Sequence, residues 1–405
     1  MIRLLPPLLL LALLAGCAKP VTVTSPQWDA PPTGSFLAMS GLPLDDQDIV
    51  GLAREQDFIL IGESHTNPCD HAVQTRIIET LAAADTAFSI GLEMLPVTAQ
   101  HVLDRFNARQ ITAENLGREV EWEKLWGYPY SLYKPIFVLA ENHNLPVVAL
   151  NIPRAVLTRF RDHGKSALTA EEQALLPSRI IDASPAQKKS LKKQVGLHQT
   201  MRELRPDSQP EKGAERQSRV APPSKGEIAE KFYLVQSLWD SMMAEQALRW
   251  RDRLGLPMII LAGAGHVEFG WGIEYRIRTL APAARCLAVV PLRDREDFLE
   301  QQKTELRPMT GETVFFHCAA QHKSRMGMTL VFEHDQVLVD SVDVGSVADK
   351  AGLRAGDVLI AAGEKKLSEA TDLHFAAMTA SRRKMPLTLN VLRDGRHLTV
   401  TLPLH

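Results

Sequence analysis

Cysteine is scarce in this chain: four occur in 405 residues, at positions 17, 69, 286 and 318. Cys17 closes the apolar N-terminal stretch, and the remaining three thiols allow at most one disulfide. A disulfide scaffold is therefore excluded. Net charge is nearly absent too, with 46 Lys and Arg against 48 Asp and Glu. Nothing in that balance points to nucleic acid, and no nucleic-acid partner is expected. No Gly-rich phosphate cradle is present. Ser64 stands between Glu63 and His65 but in no G-x-S-x-G setting, which argues against a serine hydrolase. Beyond the N-terminus no apolar run is long enough to span a bilayer.

What is present begins at the first residue. Met1-Ile2-Arg3 precedes an apolar run at 4–14 and then Ala15-Gly16-Cys17. One positive charge, a short apolar core and small residues are the pattern of a bacterial export signal. Leu14-Ala15-Gly16-Cys17 resembles a lipobox, which implies cleavage before Cys17 and a lipid on its thiol. Ala18 and Lys19 are not acidic, which favours the outer membrane as the anchoring surface. Residues 18–40, rich in Pro, Thr and Ser, read as a tether.

The length suggests two or three domains. From about residue 41 to 300, short apolar runs alternate with helical patterns, as in an α/β domain with a mostly parallel sheet flanked by helices. Runs at 58–61, 87–92, 145–150 and 257–262 each stop at polar residues. The first leads to Glu63 and His65, the second to Glu93, the third to Asn151 and the fourth to His266. Ligands in open parallel sheets bind beyond the carboxyl ends of strands, so these residues should meet in one crevice. Glu63, His65, Glu93 and His266 are the candidates for catalysis or for holding Zn, Mn or Fe. A Glu–His pair could equally do acid/base work without a metal. Asn67-Pro68 reads as a helix start, and His71 and Gln74 should lie on the exposed rim. Cys69, close by, reads as a buried small side chain, with a reactive thiol or ligand as the alternative. Residues 153–252 form a helical insertion, with helices expected at about 185–204 and 226–252. The Pro-rich connector 205–225 between them is expected to be a mobile loop.

GESHTNPCDHAVQ, GLEM, the W…Y…P stretch ending in ALNIP, Gln236-x-x-Trp239-Asp240-x-x-Met243-Ala244 and AGAGH together resemble the ChaN-like haem-binding lipoproteins over about residues 45–295. That family shares a distant superfamily with the Tiki, TraB and erythromycin-esterase-like proteins. The resemblance implies haem binding in iron uptake. Its candidate cofactor-binding residues here are Tyr128, Tyr130, Tyr133, Asn151, His198 and Met201, with Lys192, Lys193 and Arg202 for the propionates. It also implies a homodimer in which haem sits between two chains. The alternative it carries is a metal-dependent hydrolase, peptidase or esterase, with Glu63 or Glu93 as general base.

A small second domain is expected at 311–405. SVADKAGLRAGDVLIAAGEKKL closely resembles a PDZ domain. The resemblance makes Arg325-Met326-Gly327-Met328 the loop that receives a terminal carboxylate. Met326, Gly327 and Met328 are then the peptide-binding residues, and a protein C-terminus or extended peptide is the partner, added as a strand.

Overall fold

The computed structural model describes residues 31–192, 225–303, 311–324, 326–333, 336–368 and 370–404. Cys17, His198, Met201, Lys193, Arg202 and residues 205–224 of the connector lie outside the described residues.

The first domain is built on an eight-stranded sheet. Its strands are β1 (Phe36–Ala38), β2 (Pro43–Leu44), β3 (Phe58–Glu63), β4 (Ser89–Pro96), β5 (Val147–Asn151), β6 (Met258–Gly263), β7 (Cys286–Leu292) and β8 (Glu312–His317), in the order β2-β1-β8-β7-β3-β6-β4-β5. The run from β8 to β5 is parallel, and β1 and β2 join it antiparallel. The site-bearing strands β3, β4, β5 and β6 are buried along their whole length. Both faces are covered, which is why these strands read as continuous apolar runs. One face packs Ile59, Ile61, Leu92 and Val289 against Val73, Ile77 and Leu81 of α2 (Pro68–Ala83) and against Trp122, Tyr133 and Phe137. The last two belong to α6 (Tyr130–His143). The other face packs Leu60, Ile260, Ala288 and Val290 against Met243, Ala244 and Ala247 of a 30-residue helix, α9 (Lys225–Leu254), and against Ile273 and Ile277 of α10 (Ile273–Leu280). Within the insertion, residues 185–192 are helical as expected, and α9 matches the second expected helix.

Two expected boundaries move. The tether does not reach residue 40, because Phe36 is buried and β1 pairs with β8. The second domain does not begin at 311, because β8 pairs with β7 and its Phe315 and Phe316 are in the first core. The apolar run at 313–316 completes the first sheet before the chain enters the second domain.

The second sheet is antiparallel. It runs β15-β14-β12-β11-β10-β9, with β9 Ala320–Lys323, β10 Met328–Glu333, β11 Gln336–Val342, β12 Val358–Ala362, β14 Leu387–Arg393 and β15 Arg396–Leu402; β13 (Lys365–Lys366) pairs with β12. Leu330, Val339, Leu359, Leu389 and Val391 fill its core with Leu373 of α13 (Ala370–Arg382). A disulfide between Cys69 and Cys318 joins α2 of the first domain to the segment entering the second. Cys69 is therefore neither a free buried thiol nor a ligand, and among the described residues Cys286 is the free cysteine, in a buried position.

Candidate functional site

The sheet brings Glu63, His65, Glu93 and His266 together at the carboxyl ends of β3, β4 and β6. Parallel register sets Glu63 directly beside Gly263, three residues before His266. β4 continues past its expected end to Pro96, with a register irregularity against β5 after Leu92, where Glu93 stands. Such irregularities re-aim a side chain at a strand end.

Two carboxylate–imidazole pairs result. In the first, Glu63 Oε1 lies 2.8 Å from His65 Nδ1. Gln74 Nε2 donates to Glu63 Oε2 at 2.8 Å and the Tyr133 hydroxyl donates to Oε1 at 2.5 Å. His71 Nδ1 is 3.4 Å from Glu63 Oε2. Burial works against the Glu63 charge, but His65 first, then His71 and Tyr133, hold its pKa below the usual carboxylate value. In the second pair, His266 Nε2 faces Glu93 Oε1 at 3.4 Å. Gly263 N–H donates to Glu93 Oε2 at 2.6 Å. Burial again opposes, yet His266, His65 and that N–H bring the Glu93 pKa down to about 2. Burial lowers the His266 pKa less than the Glu93 and Asp240 carboxylates raise it, and it stands at about 10. His65 is also raised, by Glu63 and Glu93 against its own burial. The pairs adjoin across Gly263, where an added Cβ would lie 2.8 Å from His65 Cε1 and 3.6 Å from Glu93 Oε2.

Asp240 and Gln236, one turn apart on α9, complete the second pair. Asp240 Oδ1 is 2.5 Å from His266 Nδ1, and Gln236 Nε2 is 3.0 Å from the same nitrogen. Behind Asp240 stand Gln187 Nε2 at 3.1 Å and the fully buried Arg276, whose Nη1 is 3.3 Å away. Asp240 and Arg276 were not among the expected site residues. Gln236 and Asp240 stood in the motif Gln236-x-x-Trp239-Asp240 without an assigned role, and Arg276 in an amphipathic helix carries no local mark.

Other expectations are corrected. His71 and Gln74 do not line an exposed rim; both are buried and face Glu63. Asn151 is not turned to a cofactor: its Nδ2 donates to the Glu93 carbonyl at 2.8 Å, and its Oδ1 accepts from Ile152 N–H at 2.7 Å. It holds the bulged end of β4. Tyr133 gives its hydroxyl to Glu63, and Tyr130 donates to the Ala113 carbonyl at 2.7 Å. Burial, with Glu63 and Glu114 respectively nearby, raises both phenol pKa values, so neither reads as a ready ligand. Among the described residues, no three His, Cys, Asp or Glu are placed to hold a metal ion. The oxygens and nitrogens expected to converge on a metal are turned to one another and to their neighbours instead. Of the tyrosines, Tyr128 stays at the crevice: its ring centroid is 5.0 Å from that of His65, and Trp126 is 4.7 Å from His65 on an edge contact. Trp239 stands 5.9 Å from the His266 ring. The His65 side chain is 26% exposed, whereas Glu63 is closed off.

The peptide loop is also different from expectation. Met328 is buried in the second core. Met326 N–H donates to Ser324 Oγ at 3.1 Å and Gly327 N–H to the Ser324 carbonyl at 3.0 Å. In this arrangement those two donors serve the turn.

The family model described as haem-binding uptake, Tiki superfamily, ChaN matches residues 49–277, and a PDZ-domain model matches 324–404. This chain belongs to the ChaN family of the Tiki superfamily and carries a C-terminal PDZ domain. Similar solved structures include ChaN of Campylobacter jejuni with cofacially bound haem, at 17% identity and a TM-score of 0.49, covering 70% of this chain and 96% of that one. The type III effector HopBA1 is similar at 12% identity and a TM-score of 0.35, over 68% and 93% of the two chains. An open-conformation mutant of the erythromycin esterase EreC is similar at 13% and 0.35, over 64% and 77%. No curated protein matches the chain.

Proposed function

We propose that this protein is a lipid-anchored envelope protein, at the outer membrane, that binds haem for haem or iron uptake, with its PDZ domain recruiting a protein partner. Family membership supports haem as the ligand, and the N-terminal pattern ending in Cys17 supports the anchor. The observation that carries the site is His65. Its Nδ1 is held by Glu63, and Trp126 and Tyr128 flank its ring. A carboxylate behind one imidazole nitrogen fixes the ring and makes the other nitrogen a better ligand. The donor set suits haem, which wants an axial His or Tyr and an apolar slot. His65 or Tyr128 would hold the iron, and Trp126 and Trp239 would supply aromatic surface. Bound haem would supply an iron centre open to axial ligation. A haem-linked homodimer, with the crevice of each chain toward the other, follows the same reading.

The test is a haem titration of the chain lacking residues 1–17, followed by absorption. A saturable Soret shift at fixed stoichiometry is expected, with affinity at least about tenfold lower in His65→Ala or Tyr128→Phe. Unchanged affinity in both variants overturns the placement.

A second reading has its own observation: two imidazoles backed by carboxylates adjoin at one strand-end cluster. Such pairs suit general acid/base hydrolysis of a peptide or small ester. Turnover of a p-nitrophenyl ester, abolished in His266→Ala and in Glu93→Gln, is its test; no turnover above buffer by the unsubstituted protein would remove it.

A further inference from the structure

The edge of the PDZ sheet that an incoming strand would use is not open. β10 is an interior strand, bordered by β11 on one side and by β9 on the other. β9 runs antiparallel to β10 in continuous register, with Lys323 opposite Thr329, His322 opposite Leu330, Gln321 opposite Val331 and Ala320 opposite Phe332. This is the pairing of a strand-adding peptide, which joins a sheet edge through its backbone. His322 also lies toward α13: burial lowers its pKa, and His374 of that helix lowers it further. β9 thus occupies the side of β10 that meets α13.

We infer that Ala320–Lys323 is a built-in occupant of the strand-addition edge of this PDZ domain, and that an extended peptide partner must displace it. The inference rests on the PDZ reading and specifies how that site is regulated. Covalent and hydrogen-bonded ties keep the occupant in place. The Cys69–Cys318 disulfide fixes the chain two residues before β9. Asn67 Nδ2 donates to the Ala319 carbonyl at 2.9 Å, and Lys323 N–H donates to the Thr66 carbonyl at 3.3 Å. Thr66 Oγ1 lies 3.4 Å from His322 Nδ1. An intramolecular strand held this way competes at an effective concentration of the order of millimolar. The ties all end on residues 66–69, which directly follow His65. Displacement of β9 therefore releases the turn that carries one half of the Glu/His site, and links peptide binding to that site.

The experiment uses the full chain and a fluorescent synthetic peptide of the β9 sequence, Ala-Gln-His-Lys-Ser. Ser324 N–H donates to the Met328 carbonyl, so by antiparallel alternation His322 and Leu330 form the next hydrogen-bonded pair. His322→Pro removes that donor and frees the edge. Peptide binding at least about tenfold tighter to His322→Pro than to the unsubstituted protein is expected. Equal binding to both overturns self-occupancy while leaving the PDZ domain a peptide binder. Binding to neither overturns both readings of this edge. A second measurement needs no substitution. Dithiothreitol supplies two electrons and two protons to the disulfide, giving two thiols and the cyclic oxidised reagent. Amide exchange at Leu330 and Phe332, which face β9, should then rise about tenfold over that at Val331, which faces β11. A uniform change, or none, overturns the tethering role of the disulfide.

Discussion

Asp240 and His266 meet at 2.5 Å, Oδ1 to Nδ1, joining the middle of a long helix to the end of a central strand. Both are buried, and Arg276 balances the carboxylate from behind. The imidazole is thereby fixed with Nδ1 toward Asp240 and Nε2 toward Glu93. Asp240→Asn keeps the shape and removes one of the two charges that raise the His266 pKa. That pKa should fall from about 10 by roughly 1–3 units. Leaving Arg276 with less compensation should cost about 3–5 kcal/mol. Histidine NMR titration and urea unfolding check the two parts; an unmoved His266 pKa refutes the charge coupling.

The same groups set a pH window for stability. Glu93 is depressed to about 2, so its contribution is present above the ordinary carboxylate value of 4.5 and is lost as pH falls toward about 2. His266 is raised to about 10, so its contribution is present below 6.5 and is lost as pH rises toward about 10. Glu268, raised to about 7 mainly by its burial and by Asp297, favours the acid side, and its contribution fades between 4.5 and about 7. Unfolding free energy should therefore be greatest near pH 4.5, where the gain from Glu93 and the loss from Glu268 cancel, and decline on both sides. Denaturant midpoints across pH 3–10 measure this, and a maximum above about pH 8 contradicts it.

The disulfide closes a loop of 249 residues. Cys69→Ser/Cys318→Ser should lower stability by roughly 2–5 kcal/mol. A loss under about 0.5 kcal/mol would show that the two ends are held together without it.

Truncation separates the two domains at an unexpected place. Ending the chain at residue 310 removes β8 and leaves the core without Phe315 and Phe316, both fully buried. Each large aromatic lost should cost about 3–5 kcal/mol, enough to unfold the first domain. Ending after Cys318 keeps β8 and the disulfide and should leave the first domain folded. Equal behaviour of the two truncations, read by circular dichroism and melting, contradicts the assignment of β8.

Gly263→Ala tests the crowding between the two pairs. Its φ of −55° and ψ of 141° admit alanine, but the new methyl would stand 2.8 Å from His65 Cε1. His65 is partly exposed and can give way, so stability should change by no more than about 1–2 kcal/mol. The His65–Glu63 contact should be altered and haem affinity reduced at least about tenfold. Unchanged haem binding with a shifted His65 resonance would separate His65 from the ligand site.

Much of the first domain was legible because doubly covered parallel strands must be apolar throughout. Glu63, His65, Glu93, Asn151 and His266 stood out because each interrupts or follows such a run. Their meeting at one edge followed from the direction rule for parallel sheets. Gln236 and Asp240 were legible only as part of a motif without a role, and Arg276 was not legible at all. A helix face says which residues share a side, but not which strand end that side will meet. The tyrosines were misread for a similar reason: a cluster in sequence does not reveal that Tyr130 and Tyr133 spend their hydroxyls on Ala113 and Glu63.

What the amino-acid order determined by itself was local: apolar runs, their polar endings, the helix start at Asn67, and the motifs that mark two domains. What only the tertiary structure decided was partnership across distance. It chose Cys318 for Cys69, Asp240 for His266, β7 for β8, and β9 as the neighbour of β10. Side-chain type and spacing restrict which contacts are possible, whereas burial and chain packing select among them, because each buried polar group has to find its partner wherever the fold brings one.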